Sequence, residues 1–536
     1  MSFTSLIFIG FLALLCTVYF LTPKKYRWIT LLIASYVFYI SAGVQLLVFL
    51  IFSTASSFLA AHLLGHEVEK YKLASSDTEI PVEKVNALKI SSARRKKLII
   101  ALVIVINFSV LVFFKYANVL TGYINIISGY LGTQVNIPRI DLLLPLGISF
   151  YTFQSMGYLI DVYRGKYAPD KNIAKFALFV SFFPQLIQGP ISRYDDLASQ
   201  LYKGHSFDYV RAKHGIMLML WGFFKKMVIG DRIAILVGTV FSDYTQYSGM
   251  YIVIAIIMYS IQIYADFSGG VDIALGAAEV IGIKLPQNFE RPYFAMTLPD
   301  FWRRWHVTLN SWWRDYVFYP VTFSKGFLSL GKKCRKFFGY KMGKLIPVFF
   351  ATMLVRVINA FWHGASIKFL AFGLYHGFLI ILGLQTESFF LNLAKKLKIN
   401  TECFSWKLFR IVRTFLLVCI GRVFICAISF KESIAIFKSM FTMFESNTTT
   451  GINILFDGSL YTLGMNINVM FVLFLSILVL LIADIMKEKG MSIRQTIEKQ
   501  NIVFQWIVII LAFITIAIFG VYGPNYNPTD FIYQQF

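Results

Sequence analysis

A chain of 536 residues with 57% hydrophobic, 17% aromatic and only 15% charged side chains, at a mean hydropathy of +0.64, has too little polar surface to cover a water-soluble globule. Its formal charge of +23 sits in short segments between apolar runs, which is a topology signal and a match for anionic lipid, with no nucleic-acid recognition motif behind it. The five cysteines include no CxxC spacing and supply neither a disulfide framework nor a zinc site.

Runs long enough to cross about 30 Å of hydrocarbon predict membrane elements at 3–21, 28–42, 45–64, 98–114, 142–163 and 174–188. They continue at 214–241, 250–267, 346–362, 369–384, 409–426, 469–486 and 502–521. The first run has no basic leader region and no small-residue cleavage site, so it reads as a span. Pro145, Gly147, Pro184, Gly189 and Pro190 should break two of the runs, which the membrane tolerates only where protein or water covers the loose backbone. The expectation is one all-α polytopic domain over 1–536 with eleven to thirteen membrane elements, some re-entrant. Basic segments at 24–27, 66–97, 325–344 and 395–398 should be cytoplasmic, with the N-terminus and the nearly uncharged 445–468 segment outside. No internal repeat is visible.

The stretch Asp300–Tyr319 concentrates four of the nine tryptophans. On a helix, Trp302, Trp305, Leu309, Trp312, Trp313 and Tyr316 share one face, and Arg303, Arg304, Ser311, Arg314 and Asp315 the other. Such a helix suits a membrane interface. His306 lies at the border of the two faces, one turn before Asn310.

Two other histidines lie in or beside apolar runs. His363 follows Trp362 and precedes Gly364, which leaves room for a substrate chain. An ionisable group at membrane depth points to function, and a desolvated imidazole stays neutral and able to accept a proton. His376 reads more readily as packing between helices. The carboxylates Asp161, Asp266, Asp272, Glu279 and Asp484 are best explained by architectural ion pairs, with Arg356 and Arg422 as possible partners. No metal-ligand spacing, phosphate loop or nucleophile elbow appears.

Phe301-Trp-Arg-Arg-Trp-His306, Trp313-Arg-Asp-Tyr316 and Phe361-Trp-His-Gly364 together resemble the membrane-bound O-acyltransferase (MBOAT) family. Pro184-Gln-Leu-Ile-Gln-Gly-Pro190, Tyr264-Ala-Asp-Phe-Ser-Gly269 and Asn288-Phe-Glu-Arg-Pro-Tyr293 extend the resemblance, which points to the bacterial alginate O-acetyltransferase (AlgI)-like branch. It implies a ring of helices around a thin floor, with funnels from both sides, in a bacterial cytoplasmic membrane. It makes His363 the essential histidine and His306 the second polar position. Trp302, Trp305, Asn310, Trp362, Gly364 and His376 would line or position the chamber.

The implied activity moves an acetyl group from acetyl-CoA, or another acyl thioester, to an extracytoplasmic polysaccharide. No bound cofactor or metal is called for, and an SGNH-type extracytoplasmic acetyltransferase is the implied partner. The ending Phe531-Ile-Tyr-Gln-Gln-Phe536, in a tail over 524–536, resembles the branch's FxYxxF motif, with Tyr533 as an acyl acceptor. D-alanyl transfer to teichoic acid and a polytopic transporter or flippase are the competing readings.

Overall fold

The computed structural model describes residues 1–133, 136–140, 145–441 and 458–522. Among the described residues every regular element is a helix, and the only strand-like pairing is an isolated antiparallel bridge between Phe289 and Trp305. Seven helices there are long and apolar enough to cross a membrane: Val44–Ser76, Val82–Tyr130, Met250–Val280, Met342–His363, Ile367–Lys396, Ile467–Glu488 and Ile502–Phe519. Leu6–Leu21 is apolar but shorter. The protein is an all-α, multi-pass membrane protein.

Three expected spans depart from a continuous α-helix. In the described part of the run at 142–163 the helix starts at Ile148, after Gly147 at φ 66°; a β-carbon there would sit 2.0 Å from the Leu186 carbonyl oxygen. The run at 174–188 breaks at Phe182 into Ile173–Ser181 and Phe183–Leu186, with Pro184 in the first turn of the second piece. The run at 214–241 contains a π-helical stretch, Phe224–Gly230.

The chain forms two units. The first comprises Met1–Gly215 and Ala277–Pro286. Its helix Val82–Tyr130 has 49 residues, a length of about 74 Å at 1.5 Å per residue. That is more than twice the hydrocarbon thickness, so much of it lies beyond the membrane core. The basic segment 66–97 is accordingly not an open loop. It is two helix ends held together by Arg95 Nη1 to Glu67 Oε1 at 3.3 Å and by Ser92 Oγ donating to the Glu67 carbonyl at 3.2 Å. Elsewhere in this unit Asp170 accepts the hydroxyls of Tyr194 (2.6 Å) and Tyr202 (3.1 Å), closing an aromatic cluster of Tyr158, Tyr167 and Phe179.

The second unit comprises Ile216–Gly276 and Gln287–Phe536. Lys325–His363 bends at Gly339 (φ 78°), and its second arm, the span Met342–His363, turns at Gly364 into Ile367–Lys396. Phe404–Cys426 packs on that hairpin. The π-helical stretch carries two buried lysines. Lys225 Nζ meets Asp272 at 2.8 Å and Ser268 at 2.8 Å; Lys226 Nζ meets Asp231 at 2.8 Å and Asp266 at 2.5 Å. Removing charges from water costs several kcal/mol per ion, and only such multiple pairing offsets it. Backbone crosses backbone nearby: a β-carbon on Gly222 would lie 2.6 Å from the Gly269 carbonyl oxygen, and one on Gly269 would lie 2.8 Å from that of Gly222. The last span is tied to the same place, with Arg232 Nη2 donating to the Phe519 carbonyl (2.5 Å) and the Val521 N–H to that of Met227 (3.0 Å).

Candidate active site

The Asp300–Tyr319 stretch is not one continuous helix. It runs as Leu298–Arg304, Val307–Trp313 and a π-helical Arg314–Phe318, with a break at Trp305 and His306. Trp305 is extended and His306 is left-handed (φ 45°, ψ 55°). The cause is a segment 16 residues upstream. The Glu290 N–H donates to the Arg304 carbonyl (2.9 Å) and the Val307 N–H to that of Asn288 (3.0 Å), so 288–290 pulls 304–307 out of the helix. The face assignment survives the break. Trp302, Trp305, Leu309, Trp312, Trp313 and Tyr316 are all buried, whereas Arg303, Arg304, Ser311, Arg314 and Asp315 are not. The tryptophans pack inside the second unit.

His306 is 2% exposed. Its Nδ1 lies 3.2 Å from Asn288 Oδ1, which also receives the Thr308 N–H (3.1 Å) and hydroxyl (2.9 Å). A backbone N–H can only donate, so the Asn288 atom it meets is oxygen and His306 Nδ1 carries the proton. Burial pulls the His306 imidazole down to about 3, so near neutral pH the ring is uncharged. Nε2 is then its lone-pair position, a proton acceptor and not a donor. The Asn288 Nδ2 amide is buried with no hydrogen-bond partner among the described residues. In the sequence Asn288 opens the Asn288–Tyr293 motif with nothing to mark a role. Finding it required knowing which backbone it faces.

Asn310, expected to line or position the chamber, has its amide committed. Nδ2 donates to the carbonyls of Trp305 (2.6 Å) and His306 (3.3 Å) and so holds the break in place. Arg304 fixes the far side, paired with Asp300 (3.1 Å) and Glu488 (3.0 Å).

His363 is the half-buried last residue of its helix, beside Trp362 (ring centroids 4.7 Å) and Phe369 (6.1 Å). Trp362 lies edge-on to His306 at 6.4 Å, so one indole separates the two histidines. A β-carbon at Gly364 would meet the Phe369 ring at 2.8 Å; glycine is needed for this close turn. Trp313 Nε1 donates to Asn359 Oδ1 (3.1 Å) and braces the His306 segment against the His363 helix.

His376 is 1% exposed, edge-on to Trp302 at 5.0 Å, and a β-carbon at Gly421 would lie 2.6 Å from its Nε2. The two arginines expected to pair with carboxylates do not do so among the described residues. Arg356 lies over the Trp302 ring (Cζ 4.3 Å from the centroid) and Arg422 over Trp305 (4.6 Å). Cation–π contact is worth about 2 kcal/mol when desolvated. Taking a guanidinium out of water costs several, so the rings alone do not offset the burial.

Tyr533 and the 524–536 tail lie outside the described residues, as does most of the 445–468 segment. Among the described residues no group of three or more His, Cys, Asp or Glu side chains could hold a metal ion.

A family model, "MBOAT, membrane-bound O-acyltransferase family", matches residues 168–333, a range that includes His306 and Asn288. The chain is 32% identical over 423 residues to the "Probable alginate O-acetylase AlgI" of Pseudomonas syringae pv. tomato, covering 78% of this chain and 71% of the relative. It is 34% identical over 309 residues to the "Peptidoglycan O-acetyltransferase" of Helicobacter pylori (53% and 54% covered). It is 30% identical over 291 residues to the "Teichoic acid D-alanyltransferase" of Bacillus subtilis (54% and 70% covered).

Proposed function

Since the chain belongs to the membrane-bound O-acyltransferase family and is an O-acyltransferase, we propose that it transfers acetyl groups from acetyl-CoA, presented at the cytoplasmic face of a bacterial cytoplasmic membrane, for O-acetylation of an extracytoplasmic polysaccharide. Identity of 31–32% over most of the chain to several alginate O-acetylases supports the acetyl and polysaccharide assignments over D-alanyl transfer. The observation that carries the chemistry is the neutral, oriented His306 one indole away from His363.

In this reading the acceptor hydroxyl attacks the thioester carbonyl carbon and loses its proton to the His363 imidazole. The carbonyl oxygen, gaining charge, takes a hydrogen bond from Asn288 Nδ2. Before that transfer the single hydroxyl proton is held by the Nε2 lone pair of His306, which aligns the acceptor until the O–H turns to His363; accepting suits this tautomer better than donation to the carbonyl. The C–S bond then breaks, the imidazolium returns its proton to the thiolate, and an ester and a thiol leave. The basic 325–344 stretch draws in the phosphates of the donor. Tyr533 is the first acceptor, its phenol holding the acetyl group as an ester reactive enough to pass on. An SGNH-type partner outside the membrane completes the transfer to polymer.

His363→Ala is expected to lower acetyl transfer by about 100-fold or more at unchanged protein level, measured as radiolabelled acetate fixed to polymer by membranes. Unchanged transfer sinks the catalytic assignment. Tyr533→Phe membranes that still acetylate polymer at the normal rate sink the relay alone.

A further inference from the structure

One cluster in the second unit is unexplained by the acyl-transfer chemistry. Arg422 is 5% exposed, and its Nε and Nη2 find no hydrogen-bond partner among the described residues. Both nitrogens of the 1% exposed His376 are in the same state, as is the indole N–H of Trp302. Arg356 completes the group. Its guanidinium covers Trp302, and a β-carbon on Gly377, next to His376, would be 3.3 Å from its Cγ. Gly421, next to Arg422, abuts the imidazole from the other helix. Four helices thus bring two guanidiniums, an imidazole and an indole N–H around one point. No carboxylate among the described residues pairs with either arginine, although every lysine buried in the nearby π-helical stretch has one.

Buried polar groups in native proteins are satisfied, and unsatisfied ones mark a missing partner. Here the missing partner is an anion. Two forked guanidiniums match several oxygens on one tetrahedral centre, and the neutral N–H groups add directed bonds. We propose that Arg356, Arg422, His376 and Trp302 form a binding site for a phosphoryl group, either from the headgroup of an anionic phospholipid or from a soluble phosphorylated molecule. The inference is independent of the acyl-transfer reading, since it rests on charge and hydrogen-bond balance alone.

The test uses the full chain in nanodiscs of phosphatidylcholine. Inorganic phosphate and coenzyme A are titrated in as soluble probes, and a second set of discs carries phosphatidylglycerol. The readout is a saturable rise in unfolding temperature. At least one phosphorylated probe should stabilise the protein. Arg422→Gln and Arg356→Gln should each weaken that binding by about 30-fold or more, the loss expected when a buried charge-pair partner is removed. A response to phosphatidylglycerol alone assigns a lipid source, and a response to the soluble probes assigns a soluble one. Should the arginine variants fail to fold, Trp302→Phe removes one N–H while keeping the ring and should still weaken binding several-fold. No response to any probe, or equal responses in wild type and the Arg422→Gln or Trp302→Phe variants, overturns the site.

Discussion

Replacing Asn288 by aspartate changes two things at once, and the structure says what each should do. The three hydrogen bonds into Oδ1, at 2.9, 3.1 and 3.2 Å, can all persist, because a carboxylate accepts them as an amide does. The fold should therefore survive. What disappears is the Nδ2 donor; what appears is a negative charge against His306 Nδ1. Loss of one preorganised donor to a developing oxyanion costs about 10²–10³ in kcat. The new carboxylate raises the neighbouring imidazole by about 1–3 pKa units from its value of about 3, which still leaves it neutral at pH 8. At pH 8 the variant should thus show the donor loss alone. Between pH 6 and 5 it should lose further activity as His306 gains a proton and Nε2 turns from acceptor to donor. The assay is acetyl transfer from a radiolabelled thioester across pH 5–8. A variant with wild-type kcat at pH 8 refutes Asn288 as the carbonyl donor. A variant that becomes more active toward pH 5 refutes His306 as an acceptor.

Stability should carry its own record of His306. Its folded pKa of about 3 lies below the unfolded value, so between about 6.5 and 3 the unfolded chain binds a proton that the folded chain does not. Wild-type stability should fall as pH is lowered through that window, by up to about 1.4 kcal/mol per unit from this group. His306→Gln should flatten that part of the slope, and a slope unchanged by the substitution contradicts the burial. Lys226→Met strips the counter-charge from Asp231 and Asp266 at once. It should cost about 3–5 kcal/mol, seen as a lower unfolding temperature in detergent; an unchanged midpoint means that the pairs do not hold the π-helical stretch. Gly269→Ala puts a β-carbon 2.8 Å from the Gly222 carbonyl oxygen. Backbone must separate to admit it, at about 1–3 kcal/mol, and an alanine variant as stable as wild type rules out this tight crossing.

What could be read from the chain and what could not divides along local and distant causes. Pro184 and Gly147 announced their breaks because the signal is in the residue itself. The break at Trp305–His306 carries no glycine or proline, so helical periodicity ran straight through it. Its cause is the pairing of 304–307 with 288–290, which only the folded chain brings together. Periodicity still sorted the buried from the exposed side chains there, because both short helices present the same face inward. Arg356 and Arg422 depart from the expected ion pairs for the opposite reason. Apolar surroundings suggested ion pairs, yet the neighbours that reached them were aromatic rings. His363 was legible from its motif, whereas the tautomer of His306 followed only from Asn288 and Thr308.

The anchoring of Val521 to Met227 has a kinetic meaning. Tyr533 follows Val521 by twelve residues, and a chain of that length reaches at most about 43 Å whatever its conformation. One phenol confined to that radius has an effective concentration of about 5 mM or more. A relay through it is a first-order event whose rate does not depend on how much enzyme or polymer is present. A free acceptor would need millimolar abundance at the membrane to compete. Under the proposed relay, dilution of the membranes should slow delivery to polymer and leave the charging of Tyr533 unaffected.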